Sequence, residues 1–273
     1  MTQHPTLLLV GGGKMGGAML RGWLDRGLPA GNVRIVEPAN TLRDQLASDF
    51  GVDTVPSADH LSAAFSPDFV ILAVKPQVME SVTPDYQRFA VTGCAFLSIA
   101  AGKSIASFER SLGNEAAIIR AMPNTPAAVG RGMTVCVANS HVDDGQRTTA
   151  SSLLEAVGEV AWVEDEAMID AVTAISGSGP AYVFLLTESL AKAGEEAGLP
   201  ADLARQLARA TVCGAGELMH QASDEPEILR QNVTSPGGTT AAALAVLMDQ
   251  NSGWQDIISR AVEAAANRSR ELA

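Results

Sequence analysis

Unbroken apolar runs alternate with segments of helical period along the first half of the chain. TLLLV (6–10), VRIV (33–36), FVILAV (69–74), CAFLSIA (94–100) and AIIRAM (117–122) are continuous, as strands of a parallel sheet covered on both faces are. Helical periodicity predicts helices over 14–26, 40–49, 57–65, 77–89 and 104–111 between them. This βαβ repetition predicts a Rossmann-type, doubly wound α/β sheet. MTVCVAN (133–139) and EVAWV (159–163) predict two later strands, read as antiparallel additions, flanking a helix from Asp143 to Val157.

After Glu164 the strand signals stop and only helical patterns follow. GPAYVFLLTESLAKAGEEAG, PADLARQLARATVCGAGELMHQ, EPEILRQNV, a helix from Ala241 and GWQDIISRAVEAAANRSREL predict an all-α second part. The pattern divides the chain into residues 1–165 and 166–273. The helix over 180–197 is apolar nearly all round, which places it in a core or a subunit interface. That predicts a homo-oligomer built on a dimer.

Composition narrows the function classes. With 273 residues, 47% of them hydrophobic, the chain can bury a sizeable core. Its net charge of −12 excludes nucleic acid and anionic membrane surfaces as natural partners. Three cysteines, Cys94, Cys136 and Cys213, lack metal-ligand spacing and predict free thiols in a reducing compartment. No metal site is expected. The start, MTQHPTLLLVGGG, reads neither as a secretory leader nor as a spanning helix, so a cytoplasmic location is expected. The four histidines are scattered and form no triad.

The first chemical motif is Gly11-x-Gly13-x-x-Gly16 within LLLVGGGKMGGAML, directly after a strand and opening a helix. Gly11 permits the tight turn, Gly13 lets a pyrophosphate approach the backbone, and Gly16 lets the helix pack on the strand. The N–H groups at the helix start then face the phosphates. Glu37 ends the second strand, where an acid accepts hydrogen bonds from a ribose 2′-OH and repels a 2′-phosphate. Arg43 follows closely and has the chemistry to clamp a 2′-phosphate, so NADH and NADPH both stand. LAVKPQ (72–77) and RAMPNTPAAVG (120–130) turn at their prolines, at the strand ends where ligands bind such sheets. Lys75 there is either a general acid or a solvated charge shaping the turn.

Two later segments hold glycine and hydroxyl residues beyond what a helix start needs. One is Ser176-Gly177-Ser178-Gly179-Pro180, read either as a simple break between helices or as a close backbone approach to a ligand. The other is Thr234-Ser235-Pro236-Gly237-Gly238-Thr239-Thr240, which precedes an ordinary apolar helix. Uncovered N–H groups of Gly238, Thr239 and Thr240, with the Ser235 hydroxyl, are predicted to grip a carboxylate. The competing reading makes the threonines simple N-caps.

GGGKMGGAM, AVKPQ, SIAAG (98–102), RAMPNTP, ISGSGPAY and NVTSPGGTTAAAL occur in the order found in pyrroline-5-carboxylate reductases, and the chain resembles that family from residue 7 to beyond 250. The resemblance implies a Rossmann domain followed by a helical dimerisation domain. It implies reduction of 1-pyrroline-5-carboxylate to L-proline, the last step of proline biosynthesis, by NADPH or NADH. It matches Gly11, Gly13, Lys14, Met15 and Gly16 to the phosphate loop. Ala73, Val74, Lys75, Pro76, Ala100, Ala101 and Asn232 match cofactor contacts, Glu166 a substrate-side glutamate, and Thr239 and Thr240 the residues holding proline or its imine. Thr240 is expected to act on the ring nitrogen. Family members often have a small polar residue where Glu37 stands, a departure that bears on the cofactor.

Two other classes remain at this level. A β-hydroxyacid dehydrogenase shares the two-part plan but needs a lysine and asparagine pair on the long helix, where Lys192 stands without such a partner. A dinucleotide-sensing dimer would have no use for a carboxylate clamp.

Overall fold

The computed structural model describes residues 4–272. The expectation about a leader therefore rests partly on residues 1–3, which lie outside the described part. One eight-stranded sheet is built from β1 (Leu7–Val10), β2 (Val33–Val36), β3 (Asp53–Val55), β4 (Phe69–Leu72), β5 (Ala95–Ser98), β6 (Ala117–Met122), β7 (Gly132–Ala138) and β8 (Gly158–Trp162). Its order is β3-β2-β1-β4-β5-β6-β7-β8. The first six strands are parallel; β7 runs antiparallel to β6 and β8 parallel to β7. The order reverses between β1 and β4, which creates the crevice where open α/β sheets bind ligands.

Alternation explains why the strands are apolar throughout. Leu7, Leu9, Phe69, Ile71 and Leu97 pack on one face with Met19, Leu20 and Trp23 of α1 (Lys14–Asp25). Leu8, Val10, Val70, Leu72 and Phe96 pack on the other with Met79 and Phe108. Both sets are removed from water, so neither face of the strands is free to be polar. The remaining helices of this part are α2 (Asn40–Phe50), α3 (Pro76–Val82), α4 (Ile105–Leu112), α5 (Asp144–Glu155) and α6 (Met168–Val172). Ser104 caps α4 by accepting from the Ser107 N–H at 3.3 Å, and Asp143 with Gln146 forms a capping box on α5.

Two sequence expectations change. The segment 57–65 is not a helix but a single 3-10 turn, Ala58–His60. Ser62 Oγ accepts from the Ala64 N–H at 3.2 Å, a local bond that competes with helix continuation, and Pro67 follows. The helix expected over 77–89 stops at Val82 and continues as 3-10 turns over Thr83–Thr92, because Pro84 lacks the N–H an α-helix requires.

The later helices are α7 (Gly179–Glu196), α8 (Ala201–Gln221), α9 (Pro226–Asn232), α10 (Thr239–Leu247) and α11 (Trp254–Leu272). By compactness the first unit runs to Gly177 and includes the end of α11 from Ala266, while the second is Ser178–Ala265. The divide thus falls a helix later than the pattern change near 166. α6 packs with the sheet through Ile169, and Ser269 Oγ donates to Asp170 Oδ1 at 2.6 Å, which fastens the end of α11 there.

The second unit buries little of itself. Ala204 and Ala208 are covered, whereas Phe184, Leu185, Leu207, Leu218 and Val246 are exposed. The helical stretch Met168–Glu196 is long and apolar enough to cross a membrane by length and composition, with a mean hydropathy of 1.3.

Candidate active site

The glycine loop is shaped by its neighbours. Gly11 has φ +98°, and a Cβ there would lie 2.8 Å from the Ala73 carbonyl oxygen, so the end of β4 presses on it. A Cβ at Gly16 would lie 2.3 Å from the Gly11 carbonyl oxygen. Gly13 differs: a Cβ would meet nothing within 4 Å. Gly13 is also the N-cap of α1 and offers it no side-chain cap. A helix start with bare amides beside an open glycine is a cradle for a pyrophosphate, and these residues fit a dinucleotide. Gly13 and Lys14 are exposed, Met15 half-buried.

Glu37 points into this loop despite the following Pro38. Its Oε2 accepts from the Gly12 N–H at 3.0 Å and its Oε1 from the Ala39 N–H at 2.9 Å. The residue is only 8% exposed. Arg43 Nη1 donates to the Glu37 and Pro38 carbonyls, each at 2.9 Å, and its Nη2 donates to Asn40 Oδ1.

Residues 73–76 follow β4, with the Ala73 N–H donating to the Val10 carbonyl at 2.8 Å. Lys75 is exposed and caps α3 by its backbone alone. That is the setting of a solvated charge. Ala100 is buried and Ala101 exposed, at the turn after β5. Glu166 Oε1 accepts from the Ile105 N–H at 2.9 Å and from Arg120 Nη1 at 2.7 Å. The Arg120 side chain is 6% exposed and that of Glu166 30%. This ion pair joins β6, the start of α4 and the start of α6.

Asn124 makes a second junction. Its Nδ2 donates to the Ser176 carbonyl at 3.0 Å, and its Oδ1 accepts from the Met133 N–H at 2.9 Å. The segment it holds is a π-helical turn, Thr173–Gly177, closed by Thr173 Oγ1 to the Ile169 carbonyl and Ser176 Oγ to the Val172 carbonyl. Such turns concentrate at functional sites. Neither Arg120 nor Asn124 had been given a role from the sequence, although both lie in RAMPNTP.

In the second unit, the segment before α10 is a tight turn. The Gly238 N–H donates to the Ser235 carbonyl at 3.0 Å, with Pro236 second in the turn and Gly237 third at φ +68°. Proline supplies the fixed φ of the second place and glycine the positive φ of the third. The Gly238 N–H is therefore spent within the turn, and the first-turn amides that follow it begin with those of Thr239 and Thr240. Gly238 is the N-cap, without a side-chain cap bond, so both threonines are helical positions rather than caps. Asn232 ends α9 and is exposed.

No thiol chemistry suggests itself in the core. Burial pushes the Cys94 and Cys136 thiols up to about 12, which keeps them protonated near neutral pH.

The comparisons with known proteins agree along the whole chain. The family model for pyrroline-5-carboxylate reductase dimerisation matches residues 166–272, and that for NADP oxidoreductase, coenzyme F420-dependent, matches residues 6–102. The pyrroline-5-carboxylate reductase of Pseudomonas aeruginosa is 40% identical over 269 residues, covering 98% of this chain and 97% of the relative. The solved pyrroline-5-carboxylate reductase of Coxiella burnetii superposes with a TM-score of 0.93 at 35% identity, over 99% of both chains. The Plasmodium falciparum pyrroline carboxylate reductase, solved with NADP bound, gives 0.79 at 30% identity over 98% of both. With near-complete relatives at such identity, the chain belongs to the pyrroline-5-carboxylate reductase family.

Proposed function

We propose that the glycine loop of the first unit seats the reductant and that the first turn of α10 holds the imine. The chain is an NAD(P)H-dependent oxidoreductase that reduces 1-pyrroline-5-carboxylate to L-proline. A bound reduced nicotinamide would supply a hydride to the imine carbon of the C=N bond, the carbon that becomes C5 of proline. The protein's part is to bind, orient and keep a proton in place.

The Thr239 and Thr240 N–H groups donate to the substrate carboxylate, with the Ser235 hydroxyl beside them; Gly238 contributes the turn that aims them. The Thr240 hydroxyl hydrogen-bonds the ring nitrogen and keeps the imine protonated, which makes the imine carbon the better hydride acceptor. Gly11, Gly13, Lys14, Met15 and Gly16 cradle the pyrophosphate and Glu37 the adenosine ribose. Residues 73–76, Ala100, Ala101 and Asn232 complete the cofactor contacts. Glu166 gives Oε1 to Arg120 and Ile105 and keeps Oε2 for the ligand side. The observation that carries this reading is the start of α10 behind a Pro-Gly turn, where no side chain caps the first amides.

The chain forms a homo-oligomer; a dimer is the assembly we propose, with the cytoplasm as its compartment. The reading is tested by following reduced-nicotinamide absorbance with 1-pyrroline-5-carboxylate and, separately, the reverse signal with a panel of β-hydroxyacids. Imine-dependent oxidation of the cofactor and no response to the acids is the expected result. Cofactor binding without turnover of either would leave a sensor and overturn it.

A further inference from the structure

We propose that Glu37 makes NADH the preferred reductant of this chain. The inference rests on the dinucleotide site proposed above and adds which dinucleotide it takes.

The carboxylate is a fixed feature of the site. It stands at the end of β2, against the loop between β1 and α1, and two backbone N–H groups hold it: Gly12 on Oε2 at 3.0 Å and Ala39 on Oε1 at 2.9 Å. Burial to 8% exposure removes the freedom to swing into solvent when a ligand arrives. An ionised carboxylate has about four acceptor positions, two per oxygen. One on each oxygen is filled here, so one on each remains, a pair matched to the two hydroxyls of a ribose. A 2′-phosphate brought to the same place offers no proton to accept and sets negative charge against negative charge where screening by water is weak.

A cation would be needed to reverse this, and the two arginines on and just after β2 are committed elsewhere. Arg43 directs Nη1 to the carbonyls of Glu37 and Pro38 and Nη2 to Asn40. Its guanidinium closes the turn after β2 instead of standing as an open fork for a phosphate. Arg34, on the same strand, pairs with Asp53 at 2.5 Å and lies over the Phe65 ring. The sequence left Glu37 and Arg43 as opposed signals; their geometry places the acid at the loop and ties the base behind it.

The test is direct binding by calorimetry, with no substrate present, of NADH and NADPH to the wild type and to Glu37→Gln and Glu37→Ser. The wild type is expected to bind NADH tighter by on the order of 10²-fold, a difference of roughly 2.7 kcal/mol. Glu37→Gln, which removes the charge and little volume, is expected to narrow that ratio at least about tenfold by tightening NADPH, and Glu37→Ser to narrow it more. The kcat/KM ratio for the two cofactors should follow the same order. Equal or tighter NADPH binding by the wild type overturns the preference, as does a Glu37→Gln variant that shifts both cofactors alike. If the wild type binds neither, the dinucleotide site itself is wrong and the preference falls with it. Should a variant fail to fold, the wild-type comparison decides alone.

Discussion

Thr240 carries the most specific chemical assignment, and its position separates two contributions that mutation can pull apart. In the proposed site its N–H serves the carboxylate clamp whatever the side chain, whereas the role proposed at the ring nitrogen needs its hydroxyl. Thr240→Ala is therefore expected to lower kcat on the order of 10²-fold, with a smaller change in KM for the imine, and Thr240→Ser to recover most of the loss. Steady-state kinetics at saturating cofactor checks both. Near-wild-type turnover in Thr240→Ala would leave the threonine with no part in the chemistry. The residue scale also shows what the sequence could and could not display. The glycine loop and the α10 segment were legible because each is contiguous and its residue types have few other uses. Arg120 and Asn124 were not, because their partners Glu166 and Ser176 lie 46 and 52 positions away. Glu37 was legible in place but not in direction, since Pro38 follows it and only the Gly12 and Ala39 bonds show where the carboxylate turns.

Among the elements, the junction of β6, α4 and α6 depends on one ion pair whose two sides are unequally buried. Breaking a pair costs most when the partner left behind is shut away from water. Glu166→Ala strands the Arg120 guanidinium, 6% exposed, whereas Arg120→Met leaves Glu166, at 30%, in reach of solvent and still bonded to the Ile105 N–H. The first variant is expected to lose about 3 kcal/mol and the second about 1 kcal/mol. Denaturant unfolding monitored by circular dichroism measures both, and equal losses would mean that the asymmetry of burial does not govern the pair. Element prediction succeeded where burial on both faces forced continuous apolar runs, which is most of the sheet. It missed β3, whose three residues Asp53, Thr54 and Val55 pair only with β2 at the sheet's edge and need no apolar run. It overextended helices at 57–65 and 77–89, where a serine side chain and Pro84 redirect the backbone and apolar spacing alone gives no warning.

At the scale of the molecule, the unpaired surface of the second unit demands an occupant. Exposed large apolar groups scattered singly need no explanation, but here they recur along consecutive helices: Val183, Phe184, Leu185 and Leu190 on α7, then Leu203, Leu207 and Leu218 on α8. The all-round apolarity of α7 was readable from the sequence; what covers it was not, because a single chain's pattern does not say whether the cover comes from itself or from a copy. Homo-oligomerisation answers this, since identical chains can bury identical patches against each other. A charge placed in the middle of that surface then opposes assembly without touching the glycine loop or the first turn of α10. Phe184→Asp, at a position 61% exposed in the single chain, is expected to shift the light-scattering mass towards the 28.3 kDa of one chain. The expected helical signal is retained, because few contacts within the chain are lost, and imine reduction is expected to fall with the oligomer. A variant that keeps the assembled mass would place the subunit interface elsewhere, and a monomer with full turnover would show that each chain completes its own site.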